Sequence, residues 1–301
     1  MRPITVTVGP LVAASANNIA TSQSPAGTSG TAAVTFTNGS ASITATNTLI
    51  AGQHVKFVSP GGTLPAGLTA GNRYWVSATG LSGSAFQVTA TFGGASIVMQ
   101  SAGTGSPVVQ FGSFMALNGT LVNATSGNAV LDTPRRVLIT TADTTTTFTI
   151  TGLSATGTAL SESLVVSGGA SYSTLDYAQV MDIGVSQAPT AAVTVGTNGI
   201  ASSAWVRLDE WANTQVTIQF NVSGTVSYTL QSTMDDPNSN FGTAVLPSAV
   251  TWVNTNDTNA VNATGAVQTN FLFAPVFCRI LLNSGSGSVT GTFAQSNVAN
   301  R

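Results

Sequence analysis

Charge is what this chain lacks. Only 6% of its 301 residues are Asp, Glu, Lys or Arg, where roughly a quarter is usual for a globular protein. There are 8 basic and 10 acidic side chains, one histidine (His54) and one cysteine (Cys278), for a net charge of −2. Each shortage excludes something. With no basic face, the chain is not built to bind nucleic acid. One cysteine makes no disulfide framework, and one cysteine with one histidine cannot ligate a structural zinc. Few side chains can titrate usefully, which argues against enzyme chemistry, and nothing calls for a cofactor. No run is long and apolar enough to span a bilayer, since the best candidate, Phe271 to Leu282, is short and carries Arg279. Arg2 and the run to Ala13-Ala14-Ser15-Ala16 imitate a secretory signal, but Ile4 to Val8 alternates with period two before Gly9-Pro10. That segment reads as a strand and a turn.

The few charges are also unevenly placed. Residues 1–131 carry Arg2, Lys56 and Arg73 and no acid, a formal +3, while all ten carboxylates lie from Asp132 onward in a remainder of −5. A surface this poor in charge gives up electrostatic repulsion between copies, which suits a part packed among neighbours.

Ser, Thr, Asn, Gln and 31 glycines make up the polar half instead. Apolar residues alternate with Thr or Gln in Ala33 to Thr37, Phe86 to Ala90, Thr147 to Thr151 and Val216 to Phe220, the pattern of half-buried antiparallel strands. Turn signals such as Asn38-Gly39, Gly93-Gly94 and Gly168-Gly169 separate the runs. The fold class expected is all-β, with tandem antiparallel β-sandwich modules of Ig-like or jelly-roll-like type. Two hairpins are expected in the last third. One joins Gln215–Phe220 to Thr225–Gln231 through Asn221 to Gly224, and the other joins Val276–Leu282 to Ser288–Gln295 through Asn283 to Gly287.

At three places the sequence resembles structural proteins of tailed bacteriophages. Gly62 to Leu68, Gly71, Tyr74-Trp75-Val76, Phe86-Gln87-Val88, Gly93-Gly94 and Ile97 resemble a small β-module of phage fibres and related virion parts. Leu117-Asn118-Gly119, Asp132 to Val137 and Phe148 to Gly152 are similar to a β-sandwich of phage virion proteins. Val222 to Tyr228, Asp235-Asp236-Pro237 and Ala249 to Trp252 resemble the module that often follows it. The resemblance implies that the Ser22 to Gly27 stretch ordinarily leads straight into Leu117 to Gly119, so that the first module is an insertion. The expected organisation is 1–30, an N-terminal strand and linker packed with 113–200; 31–112, an inserted β-module; 113–200, a β-sandwich; and 201–301, a C-terminal β-sandwich.

Candidate sites are few. His54 alternates outward from a short strand in a block with no acid to orient it, the pattern of a surface or interface histidine. Cys278 lies on an apolar strand and reads as a small core residue. Asp235, Asp236 and Asp257 sit in oxygen-rich loops and are weak calcium candidates, because Asp and Asn favour turns in any case. Arg135 and Arg136 form the only adjacent basic pair, read either as local salt bridges with Asp132, Asp143 and Asp176 or as a docking contact. Trp205 and Trp211 are the other interface candidates. The four tryptophans could serve as sugar platforms, but core or inter-domain packing is the preferred reading.

The function expected is a non-enzymatic component of a tailed phage virion, exposed on the particle: a fibre-like accessory protein on the tail or head–tail junction. The alternatives are a capsid decoration or cement protein, and a carbohydrate-binding receptor module. Expected partners are copies of itself, with a trimer as one such assembly, other virion proteins such as a tail adaptor, nozzle or capsid, and a host surface glycan.

Overall fold

The computed structural model describes residues 3–11, 14–27, 30–111, 114–208, 215–237, 245 and 249–295. The molecule is all-β and built of antiparallel sheets. β1 (Ile4–Val8) and β2 (Ser15–Gln23) come first. β3 (Thr31–Ala33), β4 (Thr35–Phe36), β5 (Ile43–Thr44), β6 (His54–Val58), β7 (Tyr74–Val76), β8 (Ala85–Phe86), β9 (Val88–Thr89) and β10 (Val108–Gln110) are short. Longer strands follow: β11 (Ala129–Thr140), β12 (Thr147–Leu153), β13 (Ala159–Val165), β14 (Ala170–Tyr172), β15 (Tyr177–Val185) and β16 (Val193–Ser202). β17 (Val206–Arg207), β18 (Val216–Ser223), β19 (Val226–Thr233), β20 (Val253–Asn254), β21 (Val267–Phe271), β22 (Phe277–Gly285) and β23 (Ser288–Gln295) complete the chain.

Period-two alternation becomes two faces. In β12 the buried positions are Phe148, Ile150 and Gly152, while in β18 Val216, Ile218 and Phe220 point inward between exposed Thr217 and Gln219. The buried side chains collect into three cores. One lies within residues 34–109, around Phe36, Phe57 and Phe86. A second joins Ile19 and Ala20 to residues between Met115 and Val195, and the third joins Val8 to residues between Ala201 and Phe293.

The first core sits between a five-stranded sheet, β3-β10-β6-β7-β9, and a three-stranded one, β4-β5-β8. Phe57 of the larger sheet meets Phe36 edge-on at 5.8 Å and stacks on Phe86 at 6.3 Å. Its two ends lie side by side, because Thr31 pairs with Gln110 and Ala33 with Val108. Just before that departure the Gln23 side chain donates to Ala116 O at 2.9 Å and accepts from Ala116 N at 2.8 Å. The chain therefore leaves β2 and returns almost where it left, so residues 31–110 occupy an excursion from the central sandwich.

An eleven-stranded sheet runs through both remaining sandwiches in the order β13-β12-β15-β11-β16-β22-β19-β20, with β2, β14 and β17 attached at its sides. β16 is the shared strand: Thr194 to Thr197 pair with β11, and Ala201 and Ser202 pair with β22. The opposing sheet of the C-terminal sandwich is β1-β23-β18-β21. Residues 1–30 are thus divided. β2 pairs with β16 of the central sandwich, but β1 pairs with β23 from Ile4↔Phe293 to Val8↔Val289. The physical reason is that the inward face of β1, Ile4, Val6 and Val8, extends the C-terminal core at the outer edge of β23.

Both expected hairpins are corrected. Neither β18 with β19 nor β22 with β23 forms a ladder; β18 pairs with β23 and β19 with β22. Each turn is an arch that carries the chain from one sheet to the other. Phe220 and Tyr228 then face each other across the core at 5.1 Å instead of lying side by side. The two arches nest. Gly287 N donates to Thr225 O at 2.9 Å, and a Cβ on Gly287 would overlap the Ser223 carbonyl oxygen. Gly287→Ala is therefore expected to cost about 1–3 kcal/mol by overpacking. Gly265→Ala, where a Cβ meets nothing within 4 Å, is expected to stay within about 0.5 kcal/mol of the parent. Urea unfolding of both variants checks this.

Candidate functional site

All eight described carboxylates are engaged by the chain itself. Asp132 pairs with Arg135 at 3.0 Å, Asp236 with Arg207 at 2.8 Å, and Asp176 with Arg279 at 2.7 Å. Glu162 accepts from the amides of Thr174 and Leu175 at 2.8 and 3.1 Å. Asp143 is buried and accepts from the amides of Thr146 and Thr190 at 2.6 and 2.7 Å, tying the 141–146 loop to the 186–190 loop. The Thr190 and Thr146 amides outweigh burial and hold its carboxyl well below the usual carboxylate range.

The calcium candidates belong to this set. Asp235 accepts from Thr251 N at 2.7 Å, and Asp257 caps a short 3-10 turn, Thr258–Ala260, by accepting from Asn259 N at 3.0 Å. Asp257 does the turn-making work that Asx residues do in loops, Asp235 ties its loop to Thr251 sixteen residues on, and Asp236 is in its ion pair with Arg207. Among the described residues no group of three or more Asp, Glu, His or Cys is placed to hold a metal ion. Asp209, Glu210, Trp211 and Asn238 to Asn240 lie outside the described residues.

His54 has an acid after all, brought from the central sandwich. Its Nδ1 lies 3.0 Å from Asp182 Oδ1, and Arg73 reaches the same carboxylate at 2.9 Å. Burial raises the Asp182 carboxyl, but the His54 hydrogen bond and the charges of His54 and Arg73 overcome it and keep the group below its ordinary value. Trp75 stands edge-on to the imidazole at 5.1 Å, and Arg73 lies over Phe114 at 5.5 Å. This cluster is the seam between the excursion of residues 31–110 and the body. Sequence reasoning examined only the acids of the histidine's own block. Cys278 is fully buried, with its thiol against Val206 O at 3.7 Å, and burial pushes its pKa far up.

Arg135 is no docking residue. It is wholly buried on β11, where its guanidinium also donates to Asn198 O at 2.6 Å and steadies the bulge at which β11 changes partners. Arg136, half-buried, lies over the Tyr172 ring at 5.6 Å. It lines a cavity of about 260 Å³ together with Asp176, Ser202, Trp205, Trp252 and Arg279, at the point where the long sheet passes from the central to the C-terminal sandwich.

The cavity is organised around a buried ion pair. Arg279, 5% exposed, crosses from β22 to Asp176 at the start of β15 and donates from Nε to Gln231 Oε1 at 3.0 Å. Its guanidinium lies 4.3 Å from the centre of the Trp252 ring, close enough for a strong cation–π contact. Trp205 meets Trp252 edge-on at 5.0 Å and Phe277 at 5.7 Å. The Trp252 face is thus occupied by the chain's own arginine. Burial raises the Asp176 carboxyl, with the charges of Arg279 and Arg136 opposing. Arg136 and Trp205 were candidates from sequence, but the central role of Arg279 was missed. Its signal was there: a lone charge inside the apolar run Phe277 to Leu282 requires a buried partner.

A second recess, of about 500 Å³, is apolar and open. Met234, Val253, Leu272 and Phe273 surround it at 66%, 59%, 77% and 46% exposure. β20 and β21, the outermost strands of their sheets, border it.

No family model, no curated protein and no solved structure matches the chain.

Two outcomes are expected. Asp176→Ala leaves the Arg279 charge buried and unpaired, which is expected to cost about 3–5 kcal/mol in urea unfolding. Asp143, held below its unfolded pKa, contributes stability above about pH 4 that is lost as pH falls below it. Asp143→Asn is therefore less stable at neutral pH and loses less on acidification, as thermal melts from pH 7 to pH 3 will show.

Proposed function

We propose that the chain is a non-enzymatic structural subunit that works by packing against copies of itself and neighbouring proteins. The observation that carries this reading is the open apolar recess at the outer strands of the C-terminal sandwich, with Leu272 77% and Met234 66% exposed. Clustered exposed apolar side chains rimmed by polar ones are the kind of surface that protein–protein contacts cover. With only 6% charged residues, little repulsion opposes the contact. A two-fold contact using the same recess twice is the simplest closed arrangement.

Its proposed setting is the virion of a tailed phage, as a fibre-like accessory part of the tail or head–tail junction, meeting a tail adaptor or nozzle. The three motif resemblances and the tandem all-β architecture support this reading. A capsid decoration protein is the alternative for the same build. Copy number separates them. Quantitative mass spectrometry of particles is expected to find a few dozen copies or fewer for a tail part, and hundreds would overturn that placement.

Self-association is tested directly by light scattering of the purified chain. A mass above 30.3 kDa is expected. Replacing Leu272 and Phe273 together with Asp is expected to weaken association about tenfold or more, the loss typical of central apolar anchors. A wild-type chain that stays monomeric at high concentration would sink the reading.

A further inference from the structure

Residues 31–110 are attached to the body in a way that favours movement as one piece. Thr31 and Gln110, at the two ends of the excursion, pair with each other, so both covalent links leave from one place. The buried side chains between them form a core of their own around Phe57. The strands from β3 to β10 pack chiefly on one another and not on strands of the body. A unit with its own core and a small seam moves relative to its neighbour unless a specific contact holds it.

The seam has one such contact. Arg73 donates to both oxygens of the Asp182 carboxylate, at 3.2 and 2.9 Å, and His54 Nδ1 lies 3.0 Å from it. The His54 and Asp182 side chains are only 13% and 15% exposed, so each relies on the other for solvation it has lost. Around them stand the uncharged rings of Trp75 and Phe114, both half-buried. Residues 31–110 contain no acid. Without Asp182 the two cations therefore have no counter-charge within their own unit. The remaining seam contacts described above are uncharged, such as the Phe92 ring against Gly127.

We propose that residues 31–110 are a hinged arm latched by the Asp182 carboxylate, which swings free as a folded unit when His54 and Arg73 lose that partner. Release uncovers the Trp75 and Phe114 rings. The latch is a conformational device separate from the assembly role, and it stands or falls independently of the recess around Leu272.

Residual dipolar couplings of the backbone amides, measured on the full chain, report whether arm and body share one alignment. The wild type is expected to fit a single alignment tensor. Asp182→Asn is expected to need two, with the couplings of residues 31–110 shrinking relative to those of the body and the Trp75 indole resonance shifted. Hydrogen exchange of the Phe57 and Phe86 amides is expected to stay within about twofold of wild type, because the arm remains folded. The double variant His54→Gln with Arg73→Gln removes the latch from the other side and is expected to give the same result, so the test stands even if Asp182→Asn folds poorly. A single alignment kept by either folded variant, an arm already independent in the wild type, or loss of exchange protection in the arm's core on release would each overturn the proposal.

Discussion

The constraint on which the rest of the structure depends is the position of β16. For its first half it is flanked on both edges, by β11 and by β2; at its end it passes to β22. The side of β2 is fitted closely. A Cβ on Gly196 would overlap the Ser15 carbonyl oxygen, and the buried Asn18 amide donates to Thr197 Oγ1 at 2.8 Å. Because a strand's register decides which face each side chain takes, the register of β16 orients the inward sets of both sandwiches together. The cavity lies at the handover, where the strands at either side of β16 diverge and large side chains fill the gap.

With so few charges, the ion pairs act mostly as joints between parts. Arg279 with Asp176 connects the C-terminal to the central sandwich, and Asp182 connects His54 and Arg73 of the 31–110 excursion to β15. Their weights differ. Arg279 and Asp176 have side chains only 7% and 3% exposed, so each depends on the other for the solvation it has lost. Arg207, with its side chain 51% exposed opposite Asp236, is in the range where a pair contributes about 1 kcal/mol or less. A count of salt bridges would rank these equally; burial separates them.

The strands were legible in the sequence because alternation of apolar and polar residues is a local property. Their partners were not. The run Val216 to Phe220 shows that one face is buried, but not whether Val226 to Leu230 lies beside it or opposite it. The same glycine-rich turn serves a hairpin and an arch, and the choice rests on β23 and β22, which lie far along the chain. β1 was misplaced for the same reason. Its alternation marks an inward face without saying which core it joins, and the pairing with the edge of β23 places it on the C-terminal one. At the candidate site, Arg136 and Trp205 could be singled out by residue type. The group that organises the cavity, Arg279, became visible only when Asp176, Gln231 and Trp252 were brought around it from three other segments.

Residues 31–110 form a packing unit of their own beside the body. Its core is separate from the central one, and its two ends are adjacent strands, so the loop that the body must close is short whether or not the module is present. What holds the module in place is then a set of surface contacts. Asp182 reaches across to it, Arg73 lies on Phe114, and the Phe92 ring fits against Gly127, where a Cβ would lie only 2.6 Å from ring carbons. Such a seam fixes orientation while contributing little to either core. An electrostatic clasp closed on one carboxylate is also more sensitive to salt than the buried pair at Arg279. The low charge of the chain therefore has two structural consequences. Faces stay open for packing, and the one carboxylate in the seam, Asp182, is supplied by the body because residues 31–110 have no acid of their own.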